Sequence, residues 1–324
     1  MMLRKIYYTF HSGKNNKLWY YFKAYMRLLT PRFILRRRLP SLLRELEARP
    51  DLDYIRERVD YYCQLKGPVE LAASCETLRQ AWKRVCGGTV YDHDTYEFTR
   101  YYDPEKRWGF LPGDIVTVPK CPSVVKSRPL CDDNVNSVVL KLDKIRHFIF
   151  VEDTIPFEEK SFKVLFRGKV VGKDSRKQFM RTYFGNPLFD VGDVARRTDS
   201  PEEWRTGKMT IREHLDYKFI MAIEGNDVAS NLKWVMSSNS LAVMPRPTCE
   251  TWFMEGKLIP NYHYVEVKPD FSDVEERVRY YNDHPEEAKA IIAHAHDYVS
   301  QFKDKRREKL ISLAVLDKYF RLVH

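Results

Sequence analysis

Between Phe162 and Phe302 short apolar runs of strand character alternate with amphipathic stretches of helical character, and that order leaves few folds open. Phe162, Val164 and Phe166 alternate and stop at Arg167-Gly168. A helix then reads from about Ser175 to Phe184, ended by Gly185-Asn186-Pro187, a glycine stop followed by proline. Tyr217 to Ile223 is strand-like and opens at Gly225; Val228, Leu232 and Val235 mark a helix face; Leu241–Met244 and Tyr262–Lys268 read as further strands. Ser272-Asp273-Val274-Glu275 has the spacing of a capping box, and Pro285 with Glu286 and Glu287 opens a helix with a face of Ala288, Ile291, Ile292, Ala295, Val299 and Phe302. Strand, helix, strand, helix in succession predicts a mostly parallel sheet covered on both faces.

The chain of 324 residues has room for two domains of roughly 150 residues each. No apolar run approaches the ~18 residues a membrane span needs. The start, Met1 to Tyr8, lacks the uninterrupted apolar core of a signal peptide. A cytosolic location is therefore expected. The six cysteines include no Cys-x-x-Cys pair, so they read as reduced and structural.

The net charge of +10 is concentrated at one end. Residues 1–50 hold twelve Lys and Arg against Glu45 and Glu47, which leaves equal numbers of basic and acidic side chains in the rest. Trp19, Phe22, Met26 and Leu29 recur at helical spacing with Lys17, Lys23 and Arg27 interleaved, until Thr30-Pro31 breaks the pattern. A second short helix is expected from Pro40. The segment suits an interfacial anchor whose aromatics enter the headgroup region while cations meet anionic lipid. An ordinary helix covering a core, with its basic face in water, fits equally well. No groove-reading motif or stacking platform follows, so nucleic acid is not an expected partner.

From Tyr91 to Leu140 the texture is one of strands and turns, with Ile115-Val116-Thr117-Val118 the candidate for a buried strand.

In a parallel sheet, ligands bind where strands end and helices begin. Two such junctions stand out. One is Phe166-Arg167-Gly168-Lys169 with Arg176 following. The other is Glu224-Gly225-Asn226-Asp227-Val228-Ala229-Ser230-Asn231-Leu232-Lys233. Gly225 permits close backbone approach, Ser230 and Asn231 offer hydrogen bonds at a helix start, and Lys233 adds a cation. Together they could neutralise a diphosphate without a metal. Ordinary solvated loops would look the same, and neither junction matches the Walker or dinucleotide fingerprint.

Phe166-Arg167-Gly168, the stretch Tyr217 to Lys233, and Tyr262-His263-Tyr264-Val265 ahead of Asp270-Phe271-Ser272-Asp273 resemble glycosyltransferase family 90. That family includes protein O-glucosyltransferases and bacterial enzymes of lipopolysaccharide core assembly. Lys126-Ser127-Arg128-Pro129 resembles its cleft-lining segment.

The resemblance implies an α/β, GT-B-like fold: two Rossmann-like domains facing a cleft, the donor in the C-terminal one. The division it suggests is a basic helical segment 1–50, an acceptor-side domain 51–155, a UDP-sugar domain 156–303, and a terminal helix 304–324 that packs back. It implies transfer of a hexose, glucose or galactose, from a UDP-sugar with inversion and with no metal or other cofactor. The acceptor would be a lipopolysaccharide core at the inner face of the cytoplasmic membrane, with residues 1–50 on anionic lipid.

By matching position, Arg167, Arg176, Ser230 and Lys233 would lie around the diphosphate, Glu224, Gly225 and Asn226 would border the sugar or phosphate, and Gly168 and Asn231 would also bind the donor. Ser127 and Arg128 join them from the cleft, and Glu250 and Trp252 from a donor-domain loop. Inversion needs a general base. The Asp-x-Pro turn of the eukaryotic relatives is absent here, where Thr117-Val118-Pro119 stands, and Asp114 is the nearest acid; Asp103, Asp132 and Asp133 are others.

Two rival readings remain at this stage. Asp92-His93-Asp94 has the D-x-D spacing of metal-dependent GT-A transferases. A non-enzymatic, membrane-associated binding protein would use the basic segment alone.

Overall fold

The computed structural model describes residues 7–8, 11–196 and 199–324. Met1 to Ile6, which carry most of the stretch read against a signal peptide, lie outside them. The chain divides into two compact units, and neither is one continuous stretch. Residues 16–145, 248–256 and 302–324 form a helix-rich unit. Residues 146–247 and 257–301, with described residues before Asn16, form a parallel-sheet unit. The expected boundary near 155 thus falls at 145, and residues 248–256 leave the unit of their neighbours.

The helix-rich unit begins with α1 (Lys17–Leu28), α2 (Arg32–Glu47) and α3 (Leu52–Tyr62). Next come β1 (Glu76–Thr77), α4 (Leu78–Val85), α5 (Val90–Thr99), β2 (Arg107–Leu111), β3 (Ser123–Val125), β4 (Ser127–Pro129) and β5 (Ser137–Val139). The sheet runs β1-β2-β3-β5, with β2, β3 and β5 parallel and Leu111, Val125 and Val139 in register at their carboxyl ends.

The other unit carries β6 (Ser161–Gly168), α6 (Asp174–Tyr183), β7 (Phe189–Asp193), β8 (Tyr217–Met221), α7 (Leu232–Val235) and β9 (Leu241–Met244). Beyond β10 (Cys249–Thr251), which pairs with β4, it resumes with β11 (Val265–Glu266), α8 (Val274–Asp283) and α9 (Pro285–Ser300). Its five strands, in the order β11-β9-β8-β6-β7, are all parallel. Runs such as Val164-Leu165-Phe166 and Leu241 to Met244 are buried throughout, as strands covered on both faces must be. Phe179 and Met180 of α6, Val278 of α8 and Ile291 of α9 complete one apolar core with them.

The terminal helix α10 (Lys305–Leu322) belongs to the helix-rich unit. Leu310, Ile311, Leu313 and Leu316 bury its apolar side. The Tyr319 hydroxyl donates to the Pro122 carbonyl at 2.9 Å and accepts from the Gly109 amide at 2.8 Å, tying the helix to the amino end of β3. Glu308 is buried with two cations: Arg58 at 2.6 Å and Lys141 at 2.8 Å, while Trp252 Nε1 donates to it at 2.7 Å.

Several local expectations are corrected. Tyr91 to Thr99 is helix, not strand, because Asp92 reaches back to the Thr89 amide at 2.8 Å and starts a turn that the aromatic composition hides. Ile115 to Val118 forms no strand: the main chain of Ile115 is satisfied by the Ser127 hydroxyl, which accepts from its amide and donates to its carbonyl, both at 3.0 Å. Pro40 lies inside α2 instead of opening a helix. The capping box at Ser272 is not made: Ser272 turns to Asp270, Asp273 accepts from the Lys268 amide at 2.8 Å, and Glu275 pairs with Arg279. The strand expected over Tyr262–Lys268 contracts to Val265–Glu266. The helix expected from Val228 contracts to the single turn α7. All six cysteines are free thiols, and no helix among the described residues is long and apolar enough to cross a membrane.

Candidate functional site

The two junctions singled out in the sequence meet at one place. The chain leaves β6 through α6 to β7 on one side, then returns to β8 on the other, so the strand order reverses between β6 and β8. At such a reversal the carboxyl ends of the strands open a crevice. Arg167-Gly168-Lys169 leaves β6 there, and Glu224-Gly225-Asn226 follows β8.

Arg176, from the first turns of α6, joins the two sides. Its Nη1 donates to the Lys169 carbonyl at 2.9 Å, its Nη2 to Ile223 at 2.7 Å, and its Nε to Glu224 at 3.0 Å. Burial pushes its pKa down to about 10, with Asp193 opposing. A methyl group on Gly225 would stand 3.1 Å from Nη2, so the glycine leaves room for the guanidinium. Arg176, expected on a ligand's diphosphate, clasps the two walls of the crevice through these three carbonyls.

The other expected donor residues are placed as follows. Arg167 is paired with Asp190 through its guanidinium and donates to the Asp190 carbonyl at 2.7 Å. Asn226 accepts from Lys173, a residue the sequence reading did not select. Asn231 ties its loop to β8 through Met221 O at 3.0 Å, and Ser230 is exposed. Lys233 is wholly buried on α7, whose single turn cannot present the aligned dipole expected of a longer helix. The helix start that does face the crevice is that of α6. It runs ten residues, its N-cap is Lys173, and among the described residues no side chain caps its first amides. Gly172-Lys173 before a helical run was the available signal.

Ser127, Arg128, Glu250 and Trp252 belong to the helix-rich unit. Arg128 Nε donates to Glu250 at 2.7 Å, the Tyr61 hydroxyl also bonds Glu250, and Trp252 stacks on Tyr62 at 4.0 Å. The sequence reading put Glu250 and Trp252 in a donor-domain loop because they follow Pro245; pairing of β10 with β4 places that stretch in the helix-rich unit.

Asp114 follows β2 and Lys126 follows β3, so the parallel register brings both to the carboxyl edge of that unit's sheet. Lys126 Nζ lies 2.5 Å from Asp114, with Lys126 buried and Asp114 partly open, and Tyr91 OH lies at 3.4 Å. Asp132 and Asp133 precede β5 at the opposite edge, and Asp103 accepts from the Glu105 amide in a turn. Of the acids considered, Asp114 is the one at the edge where such sheets bind ligands.

The D-x-D reading fails on geometry. Asp92 and Asp94 stand two apart on α5, so they point to different faces. Asp92 caps the helix; Asp94 is buried, accepting from Tyr20 OH at 2.9 Å and the Lys144 amide at 3.0 Å.

Comparison with known proteins bears on the same regions. Residues 134–323 match Glycosyl transferase family 90. The O-glucosyltransferase LpsA of Dichelobacter nodosus is 37% identical over 314 residues, 95% of this chain and 96% of that protein. Protein O-glucosyltransferase 3 of Homo sapiens is 27% identical over 165 residues, 49% of this chain and 32% of the human one. Its Rattus norvegicus counterpart is 30% identical over 137 residues, 41% of this chain and 26% of the rat one.

Proposed function

The chain belongs to glycosyltransferase family 90, and from that premise we propose that it moves a hexose from a UDP-sugar to a lipopolysaccharide core acceptor, with inversion. Membership makes it an enzyme, which removes the non-enzymatic scaffold reading. The Dichelobacter relative is named an O-glucosyltransferase, which favours glucose over galactose as the sugar.

The observation that carries the donor assignment is the crevice between β6 and β8, clasped by Arg176, with the uncapped start of α6 beside it. Helix amides and the neighbouring Lys169 and Lys173 offer charge to a diphosphate as it leaves, so the proposed reaction needs no metal ion. On a GT-B-like plan the helix-rich unit serves the acceptor. There Asp114 takes the proton of the acceptor hydroxyl, the oxygen attacks the anomeric carbon from the face opposite UDP, and UDP leaves. Lys126 fixes the orientation of that carboxylate. The acceptor is lipid-borne, and the enzyme works at the cytoplasmic face of the inner membrane.

A UDP-sugar panel read for UDP release tests the donor, and undiminished turnover in EDTA is expected. UDP at about one hundred times its Kd should add about 2.7 kcal/mol of stability and raise Tm by several degrees. No shift with UDP would remove the donor site. Asp114→Asn should lower kcat at least ~100-fold while the UDP shift persists. Full turnover in that variant would strip Asp114 of its role.

A further inference from the structure

α1 is apolar on two faces, and among the described residues only one of them is covered. Ala24 is buried, the Tyr20 hydroxyl donates to Asp94 at 2.9 Å, Arg27 pairs with Glu97 at 2.6 Å, and the rings of Tyr21 and Tyr25 meet His93 edge-on at 5.6 and 5.4 Å. These contacts seat the helix on α5. Leu18, Trp19, Phe22, Met26 and Leu29 point away, and each is between 47 and 84% exposed. At 100° per residue they fall within an arc of roughly 100°. Beyond the Thr30-Pro31 break, Phe33 and Ile34 of α2 are exposed as well. A contiguous apolar surface of this kind is unusual on a soluble protein and marks an interaction site.

The surrounding charge says what covers it. Lys17, Lys23, Arg32, Arg36, Arg37 and Arg38 are all exposed, and no acidic residue occurs between Asn16 and Arg44. Lys23 Nζ lies 4.8 Å over the Trp19 ring, and the Arg37 guanidinium 5.9 Å from Phe33, so the cations frame the apolar arc. A second copy docked by two-fold symmetry would set this cationic frame against itself. A bilayer surface with anionic headgroups offers acyl chains to the arc and opposite charge to the frame.

We infer that α1 and the start of α2 form a membrane-seating surface. Leu18, Phe22, Met26 and Leu29 enter the headgroup–acyl boundary, Trp19 lies at the interface, and Arg36 to Arg38 lie on anionic lipid. The purpose of the seating rests on the proposed lipid-borne acceptor, but the binding itself does not.

The test uses the full chain and vesicles of phosphatidylglycerol with phosphatidylethanolamine, set against pure phosphatidylcholine. The wild type should cosediment with the anionic vesicles in low salt and release as salt rises. The variant Phe22→Ser, Met26→Ser, Leu29→Ser should bind at least tenfold more weakly. Its UDP thermal shift should be unchanged, because the three side chains face solvent. The variant Arg36→Gln, Arg37→Gln, Arg38→Gln should lose the salt-sensitive part of binding. Equal binding by the serine variant and the wild type would overturn the inference. So would a lipid-free dimer that the serine variant dissolves, since the arc would then face a second copy. A donor-site failure is separable, appearing as a missing UDP shift with vesicle binding intact.

Discussion

Arg176→Ala is expected to abolish the UDP thermal shift and to lower kcat/KM at least ~100-fold, with the fold retained. The guanidinium holds three carbonyls from two strand ends, Lys169 on one side and Ile223 and Glu224 on the other. Hydrogen bonds to a charged group contribute roughly 1.5–3 kcal/mol each. Losing them frees both walls of the crevice, so ordering them must be supplied by ligand binding. Arg176→Lys should recover little, because an ammonium cannot span three acceptors in one plane. Far-UV circular dichroism of the apo protein separates this from unfolding. A variant that still shifts with UDP would show that Arg176 is a bystander.

Glu308→Ala should destabilise the protein by about 3–5 kcal/mol, the usual range for removing one partner of a buried ion pair. Arg58 and Lys141 would both lose the Glu308 carboxylate, and Trp252 Nε1 its acceptor. The same group sets an acid limit. Burial alone would raise the Glu308 carboxyl, but Lys141 and Arg58 outweigh it and hold the pKa below the ordinary 4.5. A depressed carboxylate contributes stability that is fully present above the unfolded pKa and is lost as pH falls through the folded one. Wild-type Tm should therefore fall more steeply below about pH 4.5 than that of Glu308→Gln. Parallel curves for the two proteins would show that the triad carries no net proton linkage.

The parallel-sheet unit was largely legible in the sequence, and for a physical reason. Strands buried on both faces are continuous apolar runs, so β6 and β9 were visible as such. Pro285-Glu286-Glu287 announced α9 through the ordinary preferences of a helix start. The helix-rich unit was much less so. The aromatic residues of α5 have strand propensity, and it takes the bond from Asp92 to Thr89 to commit them to a helix.

The site was readable as places but not as roles. Arg167 and Arg176 were found because they lie in a junction next to Gly168. Their engagement by Asp190 and by three carbonyls depends on neighbours 23 and up to 48 residues away, which spacing does not reveal. Glu250 and Trp252 were assigned to the wrong unit for a similar reason. A three-residue strand, β10, finds its partner β4 more than a hundred residues upstream.

The interleaving of the two units has a consequence for how the chain is made. Arg58, Lys141, Trp252 and Glu308 meet in one buried cluster, yet they come from the first, middle and last thirds of the sequence. A ribosome delivers Arg58 and Lys141 long before their carboxylate exists. Meanwhile residues 146–247 can already lay down four of their parallel strands. The helix-rich unit begins at Asn16 and closes last. Until α10 emerges, Arg58 and Lys141 lack the Glu308 carboxylate, and the apolar surface that α10 will cover stays open.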